Sequence, residues 1–113
     1  MNYNIVTAQS FKRDLKRLSK KYHSIVNDYI NLLKDLYVNP TMGDKIDENT
    51  RKVRMAITSK NKGKSGGARV ITCNILVSIE NTDIYLLKIY DKSEQESLTT
   101  KEIQNLKEIN GLL

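Results

Sequence analysis

The sequence predicts an α+β domain in which an N-terminal helical hairpin and a C-terminal helix pack on a curved antiparallel β-sheet. Two patterns carry this: apolar residues recur at helical spacing at both ends of the chain, and they alternate with period two through the middle. A third is length, because 113 residues are enough for one modest core and too few for two, so residues 1–113 are read as a single domain. Helices first and strands after imply helices gathered on one face of the sheet, with the other face open.

The elements follow in order. Tyr3, Ile5 and Val6 make a short strand-like opening. Ser10 stands where a helix cap is wanted, and Phe11, Leu15, Leu18 and Tyr22 fall on one helical face while lysines and arginines fill the others. A second helix runs from about Ser24 to Tyr37, with Ile25, Tyr29, Leu32, Leu33 and Leu36 as its apolar stripe. Asn39-Pro40 ends it, since the residue before proline is pushed out of the helical region. Thr41 to Thr50 reads as a loop turning at Gly43.

The next segment is a half-buried strand. Val53, Met55 and Ile57 point one way, while Lys52 and Arg54 point the other. A glycine- and lysine-rich loop spans Lys60 to Gly67, a strand runs from Ala68 to Ser78, the chain turns near Asn81, and an apolar strand covers Ile84 to Tyr90. Together the three strands make an antiparallel meander. Thr99 and Glu102 have capping-box spacing, Leu98 and Ile103 suit the flanking staple, and Ile103, Leu106 and Ile109 give a last helix its stripe. Asn110-Gly111 supplies the stop.

Composition narrows the function classes. An apolar fraction of 39%, a charged fraction of 28%, one proline and five glycines are globular values. No run approaches the roughly 18 apolar residues of a membrane span, and no secretory leader is evident, so a cytoplasmic protein without a membrane partner is expected. Cys73 is the only cysteine and reads as a small strand residue. Charge is more telling. Between Arg51 and Ile79 stand seven cations (Arg51, Lys52, Arg54, Lys60, Lys62, Lys64 and Arg69) and no acid, whereas elsewhere the charges nearly balance. The whole excess of +6 therefore sits in one segment, which suits a polyanion or an acidic protein.

Several chemistries fit poorly. Gly63-Lys64-Ser65 resembles the end of a phosphate loop, but Thr58 stands where the first glycine belongs and a strand follows instead of a helix. One histidine, His23, and one cysteine cannot by themselves make a zinc site, and no pattern brings His23 to Cys73 or to a serine. No metal and no cofactor are expected. What is left is a group of cations: Lys52 and Arg54 on one strand face, Arg69 opening the next strand, and Lys92 just after the last. Cutting an RNA phosphodiester with its own 2′-hydroxyl requires charge neutralisation at phosphorus, removal of the 2′-proton and protonation of the leaving 5′-oxygen. Guanidinium forks suit the first task, and a lysine whose pKa is lowered by neighbouring cations suits proton transfer. Simple backbone binding without chemistry is the plainer alternative.

From Asn39 to Leu98 the chain reads NPTMGDKI, RKVRMAI, KGKSGGARVI and YLLKIYDKSEQESL. As an ordered set these phrases resemble the RelE/ParE superfamily of toxins, most nearly the HigB-type branch of RelE-like mRNA interferases. That resemblance implies the toxin of a type II toxin–antitoxin pair: a ribosome-dependent endoribonuclease that enters the A site and cleaves translated mRNA by general acid/base chemistry without a metal. It also implies a cognate antitoxin with a DNA-binding domain. Carried over by position, Lys52, Arg54, Arg69 and Lys92 are the candidate catalytic set, with Lys52 or Lys92 moving protons and Arg54 and Arg69 stabilising phosphate. Arg51, Lys60, Lys62, Lys64 and Tyr90 are the candidate RNA-binding residues. Where such toxins often carry aromatics, this chain has Thr72 and Leu98, so base stacking would fall to Tyr90 or Tyr85. Period-two counting puts Lys88, Tyr90 and Lys92 on one side. Two rival functions are a ParE-like inhibitor of DNA gyrase, which needs no converging cations, and a non-catalytic RNA- or ribosome-binding module, which would keep them.

Overall fold

A computed structural model describes residues 2–113. The chain runs β1 (Asn2–Thr7), α1 (Gln9–Lys21), α2 (Ile25–Val38), β2 (Asp44–Lys45), β3 (Thr50–Met55), a 3-10 turn (Thr58–Lys60), β4 (Ala68–Leu76), β5 (Asn81–Asp91) and α3 (Thr100–Ile109). This is the expected α+β architecture, and β3, β4 and β5 form the expected antiparallel meander. The sheet order is β1-β5-β4-β3-β2, with β1 parallel to β5 and β2 a two-residue strip at the far edge. The sheet is therefore mixed, not wholly antiparallel. Alternation along β1 marks its faces but not its neighbour or its direction; the long connection through both helices and the meander is what permits a parallel partner.

Phe11, Leu18, Ile25 and Leu36 of the helical hairpin are fully buried, as are Val53, Val70, Leu86 and Ile89 of the sheet. Side chains of this size contribute about 1.5–3 kcal/mol each when removed from water, so this layer holds the fold. A bulge opposite Ile71 and Thr72 leaves Leu87 unpaired, and Leu86 and Leu87 are both fully buried as a result. Ser10 is not the cap of α1: Ala8 occupies that position, and the Ser10 hydroxyl donates instead to the Leu87 carbonyl at 2.6 Å, tying α1 to β5. The cap of α3 is as expected, with Thr99 and Glu102 bonded reciprocally and Gly111 left-handed at φ 69° just past the end.

The expectation that all helices share one face does not hold. Lys52, Ile71 and Tyr90 lie on the sheet face opposite the helical hairpin, and with Leu98, Thr100 and Ile103 they line a small cavity at the start of α3. α3 thus covers part of the second face, because Ile71 and Cys73 there are apolar and need a cover. Ile109 contributes little, being 81% exposed, and Lys107 is buried in its stead, with its ammonium 2.6 Å from Asp47 and 3.3 Å from the Asn49 side chain. Burial pushes the Asp47 carboxyl up, and hydrogen bonds from Lys107, Thr50 and Asn49 outweigh it, leaving the group below its ordinary value. Among the described residues no helix is long and apolar enough to cross a membrane.

Candidate functional site

Register decides what meets what on the second face. Arg54 lies opposite Arg69, which lies opposite Tyr90, and the next row is Lys52, Ile71 and Lys88. Successive side chains on one strand face are two residues apart, so Lys52 joins Arg54 and Lys92 follows Tyr90. The outcome is a groove of about 310 Å³ lined by Lys52, Arg54, Arg69 and Lys92 together with Asp44, Glu96 and Ser97. All four expected catalytic residues therefore line one groove. The side chains of Lys52, Arg54 and Lys92 make no ion pair or hydrogen bond among the described residues.

Arg69 differs from the other three. It is 4% exposed, and its guanidinium donates to the carbonyls of Lys64 (3.0 Å), Ser65 (3.1 Å) and Ala68 (3.1 Å). Three of its five N–H groups are thus spent on backbone, so it bolts down the loop after the 3-10 turn and lends charge to the groove floor. Tyr90, beside it in the register, is 2% exposed, and its hydroxyl has no hydrogen-bond partner among the described residues. Burial pushes the Tyr90 phenol up, against an opposing pull from Arg69. It lines the small cavity under α3, not the groove.

The expected RNA-binding residues disperse. Lys60 reaches the fully buried Asp91 at 2.8 Å and Ser93 at 3.1 Å, so its charge is already matched. Burial pushes the Asp91 carboxyl up, but hydrogen bonds from Lys60, Tyr22 and Ser93 prevail and hold it well below the carboxylate range. Lys62 lines a separate depression of about 270 Å³ with Lys60, Ser65, Gly66, Lys92 and Ser93. Lys64 faces another hollow, which it shares with Arg54, Asp28 and Asp35. Arg51 neighbours Lys52 in sequence and so points to the opposite face, where its guanidinium lies 3.4 Å from the Gly43 carbonyl.

Two carboxylates in the groove, Asp44 and Glu96, escaped the sequence reading. Asp44 lies on a strand too short to show alternation, and Glu96 lies in a connection without periodicity. Glu94, two residues earlier, is instead bound to Arg17 (3.2 Å) and Lys21 (3.3 Å) of α1. Among the described residues, His, Cys, Asp and Glu nowhere gather in a group of three that could hold a metal ion. Burial pushes the Cys73 thiol up, which keeps it a neutral packing group. No protein-family model matches the chain.

Proposed function

We propose that this chain is the toxin of a type II toxin–antitoxin pair, a ribosome-dependent endoribonuclease that cuts translated mRNA in the cytoplasm and is held in check by an antitoxin carrying a DNA-binding domain. One observation carries the reading: Lys52, Arg54, Arg69 and Lys92, from three strands and the segment after them, line a single groove with only two carboxylates, Asp44 and Glu96, and among the described residues neither closes an ion pair with them. Neutral or gyrase-directed surfaces have no use for such convergence, whereas a phosphodiester does.

The groove also has the parts for cleavage. A carboxylate, Glu96 or Asp44, accepts the 2′-hydroxyl proton, since an ionised carboxylate accepts hydrogen bonds and an ammonium does not. The 2′-oxygen bonds to phosphorus, the bond to the 5′-oxygen breaks, and that oxygen takes a proton from the Lys52 or Lys92 ammonium, leaving a 2′,3′-cyclic phosphate and a 5′-hydroxyl. Arg54 grips the phosphate oxygens with its free fork, and Arg69 acts from beneath. The resemblance of RKVRMAI and KGKSGGARVI to RelE-like toxins supports the same assignment.

The test is brief expression in bacteria with mapping of message 5′ ends, comparing wild type with Arg54→Ala. Cleavage inside reading frames that stops with translation, and falls about 100-fold in the variant, is the expected result. Intact messages with a supercoiling defect would move the protein to gyrase, and ribosome binding without any cut ends would leave a binding module.

A further inference from the structure

We infer that the arch from Lys62 to Gly66 is a second phosphate site, seated beside the groove and sharing Lys92 with it; this rests on reading the groove as the seat of the cleaved phosphodiester. The arch is a held structure. Left-handed angles at Asn61 (φ 62°) and Gly63 (φ 65°) curl the backbone on either side of Lys62. Arg69 draws the carbonyls of Lys64 and Ser65 inward from below, and the Lys92 amide donates to the Gly67 carbonyl at 3.1 Å. Gly67 must be glycine, because a Cβ there would collide with the Met55 carbonyl oxygen.

With the carbonyls turned in, the amides of Lys62 to Gly66 make no well-formed hydrogen bond among the described residues. Successive free amides on a curled backbone form an anion-binding concavity. The adjoining depression of about 270 Å³ is lined by Lys62, Ser65, Gly66 and Lys92, together with Lys60 and Ser93. Lys60 contributes no free charge, being matched by Asp91. Unlike the groove, this depression has no carboxylate in its lining. It is therefore equipped to bind an anion and lacks a proton acceptor for cleavage. Since Lys92 lines both hollows, a strand with one phosphodiester in the groove places its neighbouring phosphate on the arch.

The experiment follows backbone amides of the full chain by NMR during titration with inorganic phosphate, then measures affinity for two uncleavable 2′-O-methyl oligonucleotides, a dinucleotide with one phosphodiester and a trinucleotide with two. Phosphate should shift the amides of residues 62–66. Lys62→Ala, an exposed change, should weaken the trinucleotide about 5-fold, lower its salt slope by about one, and leave the dinucleotide unaffected. Equal weakening of both ligands, or of neither, overturns the second site while the nuclease reading stands. Should neither oligonucleotide bind wild type, the nuclease reading fails, and the phosphate titration alone decides: shifts at 62–66 keep an anion site for free phosphate, and none removes it.

Discussion

The hairpin face and the groove handle charge in opposite ways. Under the helical hairpin every buried charge finds its match: Asp91 has Lys60, Tyr22 and Ser93, and Asp28 has the Thr58 amide at 2.9 Å, the Thr58 hydroxyl and Ser24. In the groove Lys52, Arg54 and Lys92 form no ion pair among the described residues and Arg69 has only carbonyls, whereas elsewhere on that sheet face Lys88 is paired with Asp14 at 2.7 Å and Lys107 of α3 with Asp47. Cations left in contact with water cost the fold little, so the unpaired Lys52, Arg54 and Lys92 are free to meet a ligand's charge, as the proposed function requires.

Breaking the completed face should cost most. Asp91→Ala strands Lys60 and Tyr22, and removing one partner of a buried pair typically costs about 3–5 kcal/mol, a large share of the roughly 5–15 kcal/mol of a small domain. Chemical denaturation at neutral pH measures it. The pH dependence has a definite sign: the folded Asp91 carboxyl lies below its unfolded value, so its contribution is full above about pH 4 and is lost as pH falls further toward the depressed value. Wild type should thus lose its advantage over Asp91→Asn in strongly acidic solution; an advantage unchanged at low pH would show that the carboxylate is not held as described.

Arg69 joins the two regimes, being buried yet charged without a carboxylate. Arg69→Ala should cost about 2 kcal/mol, because three carbonyls lose a charged donor while a buried charge is also relieved. It should also loosen the Lys62–Gly66 arch, read as faster amide exchange there than in β5. Uniform protection across both segments would detach Arg69 from the loop. Thr99→Ala, which removes the capping box of α3, should cost about 1 kcal/mol and expose the small cavity around Tyr90, seen as a changed tyrosine signal with the hairpin face undisturbed.

What the sequence disclosed follows the same division. Helical stripes, the meander and the shared face of Lys52 and Arg54 were legible because periodicity reports which way side chains point. Lys60 and Arg69 were legible as cations but not in their roles, because Asp91 and the Lys64 carbonyl reach them only through tertiary packing. The parallel edge strand β1 and the placement of α3 opposite the helical hairpin were hidden for a like reason: an apolar stripe declares that it will be covered without saying by what. Glu96 was hidden because it belongs to no repeating element at all.

The smallest expected effect is the sharpest check on the contrast. Arg54 is exposed, forms no ion pair among the described residues and faces Arg69 across the strand pair, so its charge adds little to stability in the free protein. Arg54→Gln should change stability by no more than about 0.5 kcal/mol, in the stabilising direction as like-charge repulsion is relieved, and more visibly at low salt. Under the proposed nuclease function the same variant should lose most RNA cleavage. Loss of function without loss of stability is what a group reserved for a ligand must show; a drop of 2 kcal/mol or more would instead place Arg54 among the groups that hold the fold, and the groove face would no longer differ in kind from its opposite.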